Sequence, residues 1–273
     1  IQAGILTAKN IIDASDAQRN TRVGSKETGD SFSGTDATDN TLIGYNAGTA
    51  ITDGDSNVAV GSYALDAQST ASGNTALGYA ALSANTTGAH LTAVGRGALA
   101  ANTTANGNTA VGSYALNDVT TGAQNTGVGA YTLEKVTTTD NNTALGYNAG
   151  ADITTGTRNT VVGSLALDSC TTGSNNAAVG SYALTSLTTG GDNTAMGDYA
   201  LGTATTGSYN TGIGKNAIDN LTTGSNNTAV GRNALTTIST GNDGTAIGFE
   251  ALKATTTGAD NTGIGCSALT ANT

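Results

Sequence analysis

Asn108-Thr109-Ala110-Val111-Gly112-Ser113-Tyr114-Ala115-Leu116-Asn117-Asp118-Val119-Thr120-Thr121-Gly122-Ala123-Gln124 is followed at once by Asn125-Thr126-Gly127-Val128-Gly129, where the pattern begins again. A glycine preceded by Val, Ile, Leu or Met recurs every 17 residues, fourteen times from Gly44 to Gly265, with no insertion or deletion. Four residues before this marker glycine stands Asn in twelve coils, Leu91 and Gly244 being the exceptions. Three before it is Thr in twelve coils, with Val58 and Ala177 as exceptions. Three after it is Ala except at Thr132, and four after it is Leu or Ile except at Gly48 and Gly150. The consensus is N-T-A-V-G-x-x-A-L-x-x-x-T-T-G-x-x. A strict short period is the mark of stacked repeats in which each unit contacts only its neighbours. The fold expected is therefore all-β, a parallel β-solenoid (β-roll) with 17-residue coils.

N-T-A-V-G alternates at the period of a strand, and its Thr and Val are β-branched. Hydrophobicity predicts that the aliphatic residue before the marker points into the coil with Thr. Asn and the small Ala or Gly then form an outer face that another backbone can approach closely. Thr-Thr-Gly predicts a second short strand ending in a turn, its glycine free to take positive φ. Stacked in register, the coils would form ladders of identical residues, Asn with Asn and aliphatic with aliphatic. Burying one Val and one Leu per coil falls well short of the entropy of ordering the rest of it. Chains are thus expected to associate through the small-residue face. Fourteen coils at about 4.8 Å each would make a rod of roughly 65 Å.

Residues 1–39 depart from the period and read as an N-terminal cap or variant first coil, while 40–273 form the fourteen-coil solenoid. Asn20-Thr21-Arg22-Val23-Gly24 carries the strand motif, but Gly24 precedes Gly44 by 20 residues, which places a three-residue insertion within Lys26–Asp39. Ile1–Arg19 would cap the stack or continue an upstream shaft. The last coil stops within a repeat at Leu269-Thr270-Ala271-Asn272-Thr273, which predicts an open edge.

Composition narrows the function. Net charge is −10 and the ten Lys and Arg residues are scattered, which argues against nucleic-acid binding. No apolar run reaches the roughly 18 residues of a membrane span. With 39 glycines but no proline, the chain is not collagen-like. Cys170 and Cys266 lie 96 residues apart, more than five coils or roughly 27 Å, too far for a disulfide. Cys170 occupies a mostly apolar repeat position and reads as a buried small hydrophobe.

The run Asn-Thr-Ala-Val-Gly-x-x-Ala, at 108–115 and 227–234, resembles the N-S-V-A-I-G-x-x-S/A repeat in heads of trimeric autotransporter adhesins. The longer form with A-L-x-x-x-T-T-G is similar to repeats of phage tail-fibre-like and bacterial surface-fibre proteins. The resemblance covers residues 20–273 and implies a homotrimer of β-rolls outside the cell, on a virion fibre or a bacterial cell surface. It brings no catalytic residues, metal or cofactor, and the chain is not expected to be an enzyme. The expected role is a structural and adhesive shaft. Its partners would be further copies of the chain and a host-surface glycan or protein receptor.

Tyrosine supplies the candidate partner-binding residues. Tyr63, Tyr114, Tyr131, Tyr182 and Tyr199 all stand two residues after the marker, and Tyr45, Tyr79 and Tyr147 one after. They either cover coil corners or form an exposed aromatic stripe. An alternative reading is a monomeric ice- or surface-binding solenoid using its Thr ladders, although adjacent Thr residues on a strand would place only one per rung outward. His90, the only histidine, cannot build a multi-His site. Asp53-Gly54-Asp55-Ser56-Asn57 lacks the glycine and closing Glu of a calcium loop. Glycosylation patterns at Asn85, Asn102 and Asn220 follow from a composition rich in Asn and Thr.

Overall fold

The structure, a computed structural model, describes residues 19–24 and 37–270. The cap reading of the first eighteen residues, most of the predicted insertion, and the last three residues lie outside the described residues. The chain divides into two compact units, 1–125 and 126–273. Each is a parallel β-solenoid with one three-residue strand per coil.

The first unit holds β1 (Thr21–Val23), β2 (Thr41–Ile43), β3 (Val58–Val60), β4 (Thr75–Leu77), β5 (Thr92–Val94) and β6 (Thr109–Val111). The second holds β7 (Thr126–Val128), β8 (Thr143–Leu145), β9 (Thr160–Val162), β10 (Ala177–Val179), β11 (Thr194–Met196), β12 (Thr211–Ile213), β13 (Thr228–Val230), β14 (Thr245–Ile247) and β15 (Thr262–Ile264). Within each unit successive strands pair in parallel and in register, as in Thr75 opposite Thr92 and Thr194 opposite Thr211. β1 pairs with β2, Thr21 opposite Thr41, despite the longer connection between them. No described helix is long and apolar enough to cross a membrane.

Three paired residues per coil leave fourteen others whose backbone polar groups need partners. They find them in the adjacent coils, all the way round. In the coil that starts at Asn159, Gly163 N–H donates down to Leu145 O at 2.8 Å and Leu165 N–H to Tyr147 O at 2.9 Å. Leu167 N–H donates up to Ala183 O at 2.9 Å, and Thr171 N–H to Thr188 O at 2.9 Å. This circuit requires unusual dihedrals. Leu165, Leu167 and Asn175 adopt φ of +56°, +49° and +60°. A left-handed leucine is strained and persists only where its surroundings hold it. Leu167 is held by the Ala183 bond and complete burial.

The alternation within each strand is as expected, but its two faces are reversed. Ala59, Ala76, Ala93, Ala110, Ala178, Ala195, Ala229 and Ala246 are wholly buried. The residues before the marker lie outside: Ile43 is 39% exposed, Leu77 46%, Leu145 49% and Met196 49%. Asn is the reason. Asn159 Oδ1 accepts the backbone N–H of Asn176 at 3.0 Å, and its Nδ2 donates to Gly173 O at 2.9 Å and to Asn142 Oδ1 at 3.1 Å. One buried amide therefore closes its own coil and links it to both neighbours. A valine facing inward would put the amide in water and strand these groups, at about 1–3 kcal/mol each. The Leu four residues after the marker is buried as expected, for example at Leu65, Leu99, Leu133 and Leu184. It fills the space opposite the inward Ala.

Thr-Thr-Gly is not a second strand. It forms a bend, with the second Thr exposed in every described coil that carries the triplet. Its glycine does not take positive φ. A Cβ on Gly156 would lie 2.2 Å from Gly173 O, so the residue is small because the next coil's carbonyl lies against it. Ala71, Ala105 and Thr139 stand at this position elsewhere, so local adjustment relieves the crowding. The marker glycine has both constraints. Gly163 has φ +138° and a Cβ there would lie 2.4 Å from Gly180 O. That double requirement explains why no coil replaces it.

The interiors of the units differ seven residues after the marker. In the first unit Gln68, Asn85 and Asn102 stand there, fully buried, on three successive coils between the apolar Ile51 and Val119. Val136, Ile153, Cys170, Leu187, Leu221 and Ile238 occupy the same position in the second.

Candidate functional site

Two outward features repeat on every rung. The first is the outer strand face. Thr, replaced by Val58 in β3 and Ala177 in β10, and an aliphatic residue two further along the strand stand in parallel columns along each unit. In the second unit the aliphatic column runs Val128, Leu145, Val162, Val179, Met196, Ile213, Val230, Ile247, Ile264 and carries no charge. In the first unit it runs Val23, Ile43, Val60, Leu77, Val94, Val111. Sequence reasoning placed these residues in the core and so missed the face.

The second feature is the corner just beyond the marker glycine. Its residues two after the marker sit at positive φ, between +55° and +61° at Tyr63, Tyr114, Tyr131, Tyr182 and Tyr199. All five are partly or well exposed. The structure brings them together with the tyrosines one after the marker. In the first unit, the Tyr63 ring centroid is 5.4 Å from Tyr45 and 6.0 Å from Tyr79, both edge-on. The column continues through Arg96, whose guanidinium carbon is 5.9 Å from the Tyr79 ring and 5.5 Å from that of Tyr114. Five successive rungs thus form one aromatic corner. In the second unit the column is interrupted. Tyr131 meets Tyr147 at 6.2 Å, and Tyr182 stacks on Tyr199 at 4.7 Å. Arg232 covers Phe249 at 5.8 Å.

Arg96 and Arg232 were missed because attention to tyrosine alone hid their column. Both stand one residue after a marker, in the repeat position of Tyr79 and Tyr147, and that shared register was the available signal. Their electrostatics differ. Lys215 pairs with Asp198 at 2.9 Å along the second unit's corner, and Lys253 with Glu250 at 2.8 Å. Lys253, beside it, is the main cause that holds the Glu250 carboxyl below the usual range, and Arg232 contributes a weaker attraction. Arg96 is exposed, and among the described residues no carboxylate pairs with it.

Other residues weighed from sequence are dispersed. His90 is exposed on its own turn. Asp55 Oδ1 accepts the Thr38 N–H at 2.7 Å, so the acidic turn is tied into its neighbouring coil. Asn85 and Asn102 are buried and hydrogen-bonded inside. Cys170 is buried, which pushes its thiol up to about 11, and Cys266 is exposed; both are free. Among the described residues no cluster of His, Cys, Asp or Glu could hold a metal ion. Comparison with protein-family models, curated proteins and solved structures found no match.

Proposed function

We propose that this chain is a structural and adhesive shaft segment of an extracellular homotrimeric fibre, of the kind found on phage tails, virions or bacterial surfaces. The observation that carries this reading is the uncharged outer face of Thr and aliphatic columns. Long aliphatic side chains remain 36–67% exposed there on seven rungs. The small-residue face lies inside, so the seam between chains runs along the aliphatic columns instead. A stable interface covers about 800 Å² on each partner, or about 90 Å² for each of nine rungs. One half-exposed aliphatic residue and its Thr supply an area of that order. Another copy of the chain carries the same rung spacing and so stays in register along the whole column. A shaft of this kind holds a tip at a distance, and repeated weak contacts along it add up to avidity.

Light scattering tests the assembly directly. The expected mass is three times that of the chain, and replacing Leu145 and Val162 together by Asp should reduce it to one while the β-sheet signal in circular dichroism persists. A monomeric parent chain would overturn the trimer. The regular spacing of outward Thr and aliphatic groups also favours a second reading, a monomeric ice- or surface-binding solenoid. Thermal hysteresis of the purified chain is the measurement that decides it.

A further inference from the structure

The proposed adhesive role leaves the ligand of the corner open, and among the described residues the corner of the first unit carries the longer continuous run of rings. It combines exposed aromatic rings with an arginine that pairs with no carboxylate among the described residues. We propose that Tyr79, Arg96 and Tyr114 form a binding site for a carboxylate-bearing polysaccharide laid along the solenoid axis. The proposal names a ligand class for the adhesive reading and therefore rests on it.

The chemistry begins with Arg96. A guanidinium between two aromatic rings is held by cation–π attraction, and its N–H fork remains suited to a planar carboxylate. Tyr79, 54% exposed, offers apolar ring surface together with a phenol hydroxyl. Sugars present the matching combination of apolar C–H faces and hydroxyls. The column repeats from ring to ring at 5.4 and 6.0 Å, so successive sugar units of a linear polymer meet successive rungs. The chain's net charge of −10 does not forbid an anionic ligand. At physiological salt the screening length is about 8 Å, so the nearby guanidinium outweighs carboxylates several coils away. In the second unit, Arg232 already has Glu250 in its field, and the rings stand in separate pairs. That corner lacks both the uncommitted cation and the continuous track.

The test uses the full chain and calorimetric titration with oligogalacturonate, neutral dextran oligomers and dextran sulfate. Oligogalacturonate should bind and neutral dextran should not. Arg96→Gln should weaken oligogalacturonate binding by about tenfold or more, the worth of one charge-assisted bidentate pair. Arg96→Lys should fall between, since it keeps the charge without the fork. Tyr79→Ala with Tyr114→Ala should weaken binding as well, whereas Tyr209→Ala, at an exposed tyrosine of the second unit away from the corner, should leave it unchanged. An unchanged melting temperature for Arg96→Gln separates lost recognition from lost folding, and Arg96→Lys serves if that variant does not fold. The proposal is overturned if oligogalacturonate does not bind, if Arg96→Gln binds it as well as the parent, or if dextran sulfate binds more tightly and independently of Arg96. None of these outcomes alters the mass measurement, so the site and the trimeric shaft fail separately.

Discussion

The two units wind the same coil around different interiors, and the difference lies in how a single carbonyl is satisfied. In the second unit a row of Asn142, Asn159, Asn176, Asn193, Asn210 and Asn227 passes amide hydrogen bonds from coil to coil over six coils before Gly244 ends it. Each bonds the carbonyl fourteen residues ahead, as Asn193 does at Gly207 O, 2.9 Å away. The space seven residues after the marker is then free for Ile153, Leu187 or Leu221. In the first unit Leu91 breaks the row, so the Ala105 carbonyl has no amide from that side. Asn102, from a position that among the described residues is apolar in the second unit except at Thr255, supplies one at 3.3 Å. Asn102 in turn donates to Asn85 Oδ1 at 2.9 Å, and Asn85 and Asn74 both donate to Gln68 Oε1, at 3.2 and 2.8 Å. The exchange of Asn for Leu at one repeat position is compensated by Asn for an aliphatic residue at another. It is not complete, because Asn102 Oδ1 is buried without a partner. The coil therefore demands that its carbonyls be met and accepts more than one residue pattern that meets them.

The harshest way to break the comparison is to import the polar interior into the unit built without it. Leu187→Asn removes a fully buried aliphatic side chain and buries an amide that has no counterpart of Gln68 or Asn85. The expected loss is about 3–5 kcal/mol in chemical denaturation; a loss below about 1 kcal/mol would show that the apolar interior contributes little. Cutting the continuous amide row is next. Asn159→Ala should cost about 2–4 kcal/mol, because it leaves the Asn176 N–H without a partner and the Gly173 carbonyl with only the weak Cys170 thiol donor. Asn108→Ala, beside the existing break at Leu91, should cost less when measured the same way.

Making the first unit resemble the second should act in the opposite direction. Leu91→Asn with Gln68→Val, Asn85→Ile and Asn102→Leu restores the row and leaves an apolar interior. A gain of about 1–3 kcal/mol is expected, since a well-packed apolar group can replace an incompletely bonded polar one favourably. A net loss would mean that the polar set is better satisfied than its hydrogen bonds indicate. The smallest effect concerns Asp66, whose buried Oδ1 has no hydrogen-bond partner. Burial pushes this carboxyl above the usual carboxylate range. The folded state thus favours the proton, and that contribution is complete below the unfolded range near 3.9 and lost as pH rises through the folded pKa. Asp66→Asn should therefore stabilise the fold slightly at pH 7, by under about 1 kcal/mol in chemical denaturation after solvent screening, and the gain should vanish near pH 3.

Much of this was legible before the structure. The period gave the coil, the register and the buried Leu that follows most markers. The alternation of N-T-A-V gave two faces but could not decide between them by hydrophobicity. What decided was the number of hydrogen bonds an inward Asn makes, which depends on the position of a carbonyl fourteen residues away in the coil. The two kinds of glycine were separable in principle. The marker is never replaced, while Ala71, Ala105 and Thr139 replace the other. The first is fixed by dihedral and space together, the second by space alone. The aromatic corner was half visible, because Tyr63 and Tyr79 hold different repeat positions and meet only once the left-handed turn at Tyr63 is known.

The stacked marker glycines have a consequence for how such a chain can change. Gly146, Gly163 and Gly180 each leave no room for a side chain against the coil above. The longer connection between β1 and β2 keeps Gly24 stacked on Gly44, so extra residues are accommodated where they leave the strand register intact; a residue added or lost between a strand and its marker would instead put a Cβ-bearing residue in the glycine's place. Whole coils can be duplicated or excised without that penalty, because the junction they leave is the same as the one they remove. Length in this molecule therefore changes most readily in whole coils, by recombination between equivalent frames that keeps the glycine stack.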